Sequence, residues 1–390
     1  MTNLCENRLD NAFQIDVPLP PKKTRMQEFR QLFRQNRLAV LGVIIFILFF
    51  FTALAGLFLT SGNDPVFNPA LVRLQEKLRP PLAKPRIDTL QAHEVPTLGI
   101  YLLGTDDLGR DVFARMLQGA WVSLTVGFVA VGISIVVGIF MGGIAGFFGQ
   151  NNIYLGHILM VSLLFFGGTL LLAGQIYPGL AVVLTGFALF LFFACSKTPR
   201  KNQAMPWWLK ILRKPAISID TFIMRIVDIM LCFPSFFLIL TVVALLPASI
   251  YNIMIVIGLT SWMGTTRFVR AEFLSLREQD FVTAARALGV SDFRIIFRHI
   301  MPNAITPVLV SATIGIATAI LTEAGLSFLG FGVPPPHSTW GNILSNGKNF
   351  IFDAPWLTIE PGIAILIVVL SFNLFGEGLR DALNPKLKER

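Results

Sequence analysis

The chain has 390 residues, 54% hydrophobic and only 14% charged, with mean hydropathy +0.67 and a formal net charge of +9. A water-soluble domain of that composition could not cover its surface with polar groups, so the sequence specifies an integral membrane protein. Its apolar residues come in long unbroken runs rather than in alternation, which excludes a transmembrane β-barrel and leaves an all-α polytopic helix bundle.

Residues 38–59 form the first run, uncharged throughout and about 33 Å long as a helix, enough to cross a core of roughly 30 Å. Lys22, Lys23, Arg25, Arg30, Arg34 and Arg37 precede it. The run is too long for a cleaved leader, so it reads as a retained span with segment 1–37 in the cytoplasm. Further runs at 122–148, 154–174, 179–195, 226–246, 250–263, 305–329 and 361–375 give eight expected spans. Alternation then places 1–37, 196–225, 267–303 and the tail 377–390 inside. These segments hold most of the Lys and Arg, whereas the external loop 60–121 carries seven basic and seven acidic residues. The basic excess is therefore a topology signal, and nucleic acid is not an expected partner.

Within the external loop, Thr105, Asp106, Asp107, Arg110, Asp111 and Arg115 form a dense charged cluster. Thr105 or Asp106 could cap a helix, and Asp111 and Arg115 have i, i+4 spacing. A structural role and a role in docking a substrate-delivery protein are both open; no histidine lies in the cluster to favour a metal. In the next run Gly138, Gly142 and Gly146 recur every four residues, a smooth stripe that admits a close neighbouring helix. Cys5, Cys195 and Cys232 are odd in number, without metal-like spacing or a disulfide framework.

Segment 151–217 reads as two spans followed by a basic tract with Lys197, Arg200, Lys201, Lys210, Arg213 and Lys214. Trp207, Trp208, Leu209, Ile211 and Leu212 beside those cations suggest an amphipathic stretch resting on membrane lipid. Glu323 falls inside an apolar run, where an acid either bonds between helices or belongs to a translocation path. Gly341 to Asn349 superficially resembles a phosphate loop. It has five residues between its glycines where four are needed, and asparagine stands where Ser or Thr would bind magnesium.

The stretch from Asp280 to Asn303 is different in kind. Phe281, Ala284, Ala285 and Leu288 fall at i, i+3, i+4 and i+7, one face of a helix. Gly289 can end that helix, Ser291 can cap a second one, and Phe293, Ile296, Phe297 and Ile300 repeat the spacing up to Pro302. Two short amphipathic helices meeting at a glycine could lie on lipid headgroups or dock a cytoplasmic partner.

Thr283-Ala284-Ala285, then Gly289, then His299-Ile300-Met301-Pro302 resembles the cytoplasmic loop of ABC importer permeases: E-A-A, three residues, G, nine residues, I-x-L-P. Threonine stands for the glutamate and histidine for the isoleucine. "LGTDDLGRDVFARMLQGAWVSL" (103–124), "WMGTTRFVR" (262–270), "LTEAGLSFLGFGVPPPHSTWG" (321–341) and "GEGLRDALNP" (376–385) are similar to further blocks of the dipeptide, oligopeptide and nickel permeases, in the order of their C-type subunit. Glu377 replaces the family's usual aspartate, and 151–217 has no counterpart in a family whose members have six spans.

The resemblance implies a six-span core, 38–150 and 218–376, interrupted by a two-span hairpin that preserves orientation. It implies a bacterial inner-membrane subunit of an ATP-driven peptide importer, forming half of the pathway. The implied partners are a second homologous permease, two ATP-binding subunits that carry ATP and Mg, and an extracytoplasmic solute-binding protein. No cofactor or catalytic site is expected in this chain. Nickel or another small solute, and a scaffold or channel without an ATPase, are the alternative readings.

Overall fold

The computed structural model describes residues 25–62, 64–91, 94–195 and 207–383. Lys22, Lys23 and Cys5, the tract residues Lys197, Arg200 and Lys201, and the tail from 384 lie outside the described residues.

Helix α1 (Arg25–Gln35) leads into α2 (Arg37–Thr60), whose first turn is capped by Asn36 accepting the Ala39 N–H at 3.1 Å. Asn36 also donates through Nδ2 to Asp381 at 3.2 Å. Asp381 lies near the end of the last helix, which is numbered α13 (Trp356–Leu383). Gly42 packs on Leu374 and Phe375, and Phe46 on Phe372 at 5.1 Å between ring centroids, so α2 and α13 run antiparallel.

The central pair is α3 (Val112–Phe148) and α9 (Ile250–Arg277), which lie parallel along most of their length. The glycine stripe explains how closely they approach. A Cβ on Gly138 would lie 2.6 Å from Thr265 Cβ, one on Gly142 2.6 Å from the Thr266 carbonyl oxygen, and one on Gly146 2.6 Å from Phe273 Cβ. Gly258 of α9 answers against Ala130 and Ile133 of α3.

Between them in sequence, α4 (Leu155–Leu172) and α5 (Ile176–Cys195) pack on each other, Gly186 meeting Leu164. The two ends of this segment are tied by a short antiparallel ladder of β1 (Asn152–Tyr154) and β2 (Pro215–Ser218), with the short α6 (Trp207–Leu212) just before β2. Then α7 (Ile219–Cys232) and α8 (Ser235–Leu245) meet at an 82° bend. Pro234 stands at that break, where its ring and missing N–H prevent one continuous helix.

Helix α10 (Asp280–Ala287) follows α9, and α11 (Asp292–Phe328) is continuous over 37 residues. A short α12 (Trp340–Gly347) precedes α13.

Each expected apolar run is helical, 226–246 being split between α7 and α8, but the count of eight spans is not reached. Among the described residues, five helices are long and apolar enough to cross a membrane: α2, α3, α4, α11 and α13. The bent α7–α8 pair makes a sixth if it is one span. The 250–263 run falls short because it is brief: a span-length stretch of α9 must also take in Thr265, Thr266 and Arg267, in addition to Asn252 within the run.

Candidate functional site

The α10–α11 elbow is built from local rules. The Val290 N–H donates to the Ala285 carbonyl at 3.1 Å and the Gly289 N–H to Arg286 at 2.9 Å, a Schellman ending for α10. Gly289 takes φ +73°, and a side chain there would meet open space, so glycine is needed for its backbone and not for room.

The apolar face of α10 is divided differently from the sequence expectation. Val282 and Ala285 are buried in the chain's own core, while Phe281, Ala284 and Leu288 are exposed, Leu288 by 83%. Asp280 and Thr283 are exposed too, Thr283 donating to the Asp280 carbonyl at 2.9 Å.

The second half also departs from expectation. Ser291 stands at the N-cap position but its side chain makes no capping bond. Pro302 does not end the helix, which runs on to Phe328. Just before it, Ile295–Ile300 is π-helical, with the Met301 N–H donating to Ile296, five residues back. That wider turn relieves the clash a proline makes with the preceding turn. It also changes which side chains face inward. Ile295 and Ile300, five apart, are fully buried, leaving Phe293 (71%) and Phe297 exposed and in mutual ring contact at 4.5 Å. His299 is half-buried, its carbonyl accepting from Asn303 at 2.6 Å.

Beneath the elbow, Val282, Ala285, Ile295 and Ile300 join Phe147, Val269 and Phe273 in one apolar cluster. Arg286 stacks over the Phe147 ring at 5.3 Å. Arg277, at the end of α9, donates to the carbonyls of Gly146 (3.4 Å) and Phe147 (3.3 Å), cations suiting the negative end of α3. The elbow is thus packed on the ends of both central helices.

At the opposite end of α3, Asp106 is fully buried. Its Oδ1 accepts the N–H groups of Leu108 and Arg110, both at 2.9 Å. Its Oδ2 accepts from Arg110 Nε at 2.7 Å and Arg115 Nη1 at 2.5 Å. Arg115 therefore pairs with Asp106 and donates to Ser338 Oγ at 3.2 Å, instead of pairing with Asp111. Asp111, and not Thr105 or Asp106, caps α3, accepting the Phe113 N–H at 2.9 Å. Burial pushes the Asp111 carboxyl up from its ordinary value, opposed by hydrogen bonds from Phe113 and Ala114. Thr105 pins the loop, donating to the Glu76 carbonyl at 2.5 Å and accepting from Arg79 N at 2.8 Å. Asp107 lies 4.0 Å from Arg110 Nη2.

Glu323 is fully buried in α11, accepting from Ser327 at 2.6 Å and from Ser123 of α3 at 3.3 Å. It joins helices here. Replacing it with leucine, which strands both hydroxyls, is expected to cost about 1–3 kcal/mol in thermal unfolding, whereas Glu323→Gln keeps the bonds and the stability. A stable Glu323→Gln protein without transport would instead put the charge itself in the pathway.

A family model described as the N-terminal TM domain of oligopeptide transport permease C matches residues 24–81, and one described as binding-protein-dependent transport system inner membrane component matches 208–389. The dipeptide transport system permease protein DppC of Alkalihalophilus pseudofirmus is 35% identical over 374 residues, covering 95% of this chain and 94% of its own length. The chain belongs to the binding-protein-dependent transport permeases. The oligopeptide transport system permease protein OppC of Bacillus subtilis is 30% identical, covering 92% of this chain and 88% of its own. A chain from a solved structure of the MetNI methionine ABC transporter is a more distant likeness, with TM-score 0.42 and 15% identity over 69% of this chain and 97% of that one.

The permease is accordingly a multi-pass inner-membrane protein and a transport component. Its Lys348 does not hold a phosphate-loop geometry. The ammonium group sits over the Phe328 ring at 5.4 Å and 3.5 Å from the Phe328 carbonyl, at the end of α11. Sequence reasoning missed Val282, Arg277 and Phe147 as the seat of the elbow. The 282/285 pairing was a visible i, i+3 pattern, but nothing local announced Arg277.

Proposed function

We propose that this permease forms half of the translocation pathway of an ATP-driven peptide importer, with a second homologous permease as the other half. The elbow of α10 and α11 docks on one of two ATP-binding subunits, which carry ATP and Mg. An extracytoplasmic solute-binding protein delivers the peptide. The observation that carries this reading is the exposed apolar set Phe281, Leu288, Phe293 and Phe297, mounted on the ends of the central helices and left uncovered by this chain. The names of the dipeptide and oligopeptide relatives supply the substrate class. Co-purifying the complex and measuring which solute stimulates ATP hydrolysis tests it. Stimulation by peptide-loaded binding protein is expected; a complex without an ATPase would leave a scaffold or channel.

The distribution of basic residues supports a cytoplasmic elbow end and an external 60–121 loop. On this topology α4 and α5 form a peripheral two-span hairpin, completing eight spans. The β1–β2 ladder supports that reading, because it returns the chain to the point it left. The hairpin helices also fall between the two family matches. Cysteine at position 176 should label from outside and cysteine at 203 only from inside. Labelling of both from the cytoplasm would make the segment re-entrant.

A further inference from the structure

Two cavities open at the end of the bundle that carries the 61–111 loop. One, of about 440 Å³, is lined by Arg110, Arg115, His337, Ser338, Asn342 and Asn346. Its charged lining is two guanidinium groups, because their shared partner Asp106 is buried behind them and does not line it. Both arginines are held on one Asp106 oxygen, which fixes them, and each guanidinium carries five donors, more than these bonds consume. The Asn346 amide makes no hydrogen bond among the described residues. The second cavity, of about 550 Å³, is lined by Gln118, Trp121, Thr125 and Tyr251, among others. The two share Ala70, Pro336 and His337, so they adjoin.

We propose that these cavities are an entrance subsite for a short peptide: the arginine-lined one takes the α-carboxylate, and the aromatic and amide-lined one takes the chain. Fixed guanidinium forks suit a planar carboxylate, and cavities of several hundred Å³ are the size that holds small ligands. The Trp121 and Tyr251 rings offer contact to varied side chains without selecting one. The inference rests on the peptide reading and names where the permease itself would first hold its cargo.

The test uses the full complex, without binding protein, carrying Tyr251→Cys. The rate of labelling by a membrane-impermeant maleimide is measured with dialanine and with dialanine amide. Dialanine should slow labelling and the amide should not. Arg110→Gln should weaken this protection roughly tenfold in dialanine concentration, the scale of a lost charged hydrogen-bond pair. Asn346→Leu, outside the Asp106 network, should weaken it as well, which separates ligand contact from loop unfolding. Equal protection by acid and amide, or none in a complex that imports dialanine, overturns the subsite. Protection by binding protein alone, with or without peptide, also overturns it and makes the surface a docking face. A complex that imports no peptide would fail the peptide reading first.

Discussion

Leu288→Glu is expected to lower peptide-stimulated ATP hydrolysis roughly thirtyfold, through a loss of about 2 kcal/mol of docking energy, while membrane insertion and thermal stability stay unchanged. Leu288 is 83% exposed, so the substitution leaves the chain's own core untouched, and unchanged membrane insertion would separate a partner effect from a lipid one. Phe281→Glu should lower stimulated hydrolysis too, but with some loss of thermal stability, since Phe281 is only 40% exposed. Ala285→Glu is a different experiment: Ala285 is buried with Phe147 and Ile295, and a carboxylate there would unseat the elbow itself. Gly289→Val tests the backbone, because valine must adopt φ +73° in open space at a cost of roughly 1–2 kcal/mol. It should uncouple transport while α10 remains helical. Normal stimulated hydrolysis in both Leu288→Glu and Phe281→Glu would remove the docking assignment.

Gly142→Leu should be severely damaging to the α3–α9 pair. Even its Cβ would lie 2.6 Å from the Thr266 carbonyl oxygen and 2.8 Å from Val269 Cβ, both on the facing helix. The pair can accommodate it only by separating, which also strips Gly138 and Gly146 of their contacts. A loss of about 3 kcal/mol or more is expected, at the upper end of overpacking costs, enough to lower yield and melting temperature together. Gly132→Leu on the same helix is the control, since no atom lies within 4 Å of a Cβ there. Equal melting of the two variants would show that α3 and α9 do not meet along this stripe.

Both predictions draw on features legible in the sequence for the same reason: each depends on residues close together in the chain. The four-residue glycine repeat needs only helical geometry to become a stripe, and Gly289 needs only its place between two amphipathic runs. What was not legible depended on distant partners. The inward face of α10 is chosen by Phe147, more than a hundred residues earlier, and by the five-residue π spacing of Ile295 and Ile300. Pro302 reads as a terminator until that π turn is seen to absorb it. Asp111 and Arg115 have helix-pair spacing, yet Arg115 pairs with Asp106. Gly104 and Gly109, both at positive φ, frame the loop that brings the Asp106 carboxylate back onto α3. Pro234, by contrast, stands inside the 226–246 run in plain view, and folds it through 82°.

The central claim is that this permease, with ATPase and binding-protein partners, moves peptides inward. Uptake of radiolabelled dialanine into proteoliposomes containing the co-purified complex tests it most directly. Uptake that requires ATP and binding protein, and that collapses with Leu288→Glu, is the result predicted. Uptake that proceeds without ATP, or that is indifferent to Leu288→Glu, would contradict it.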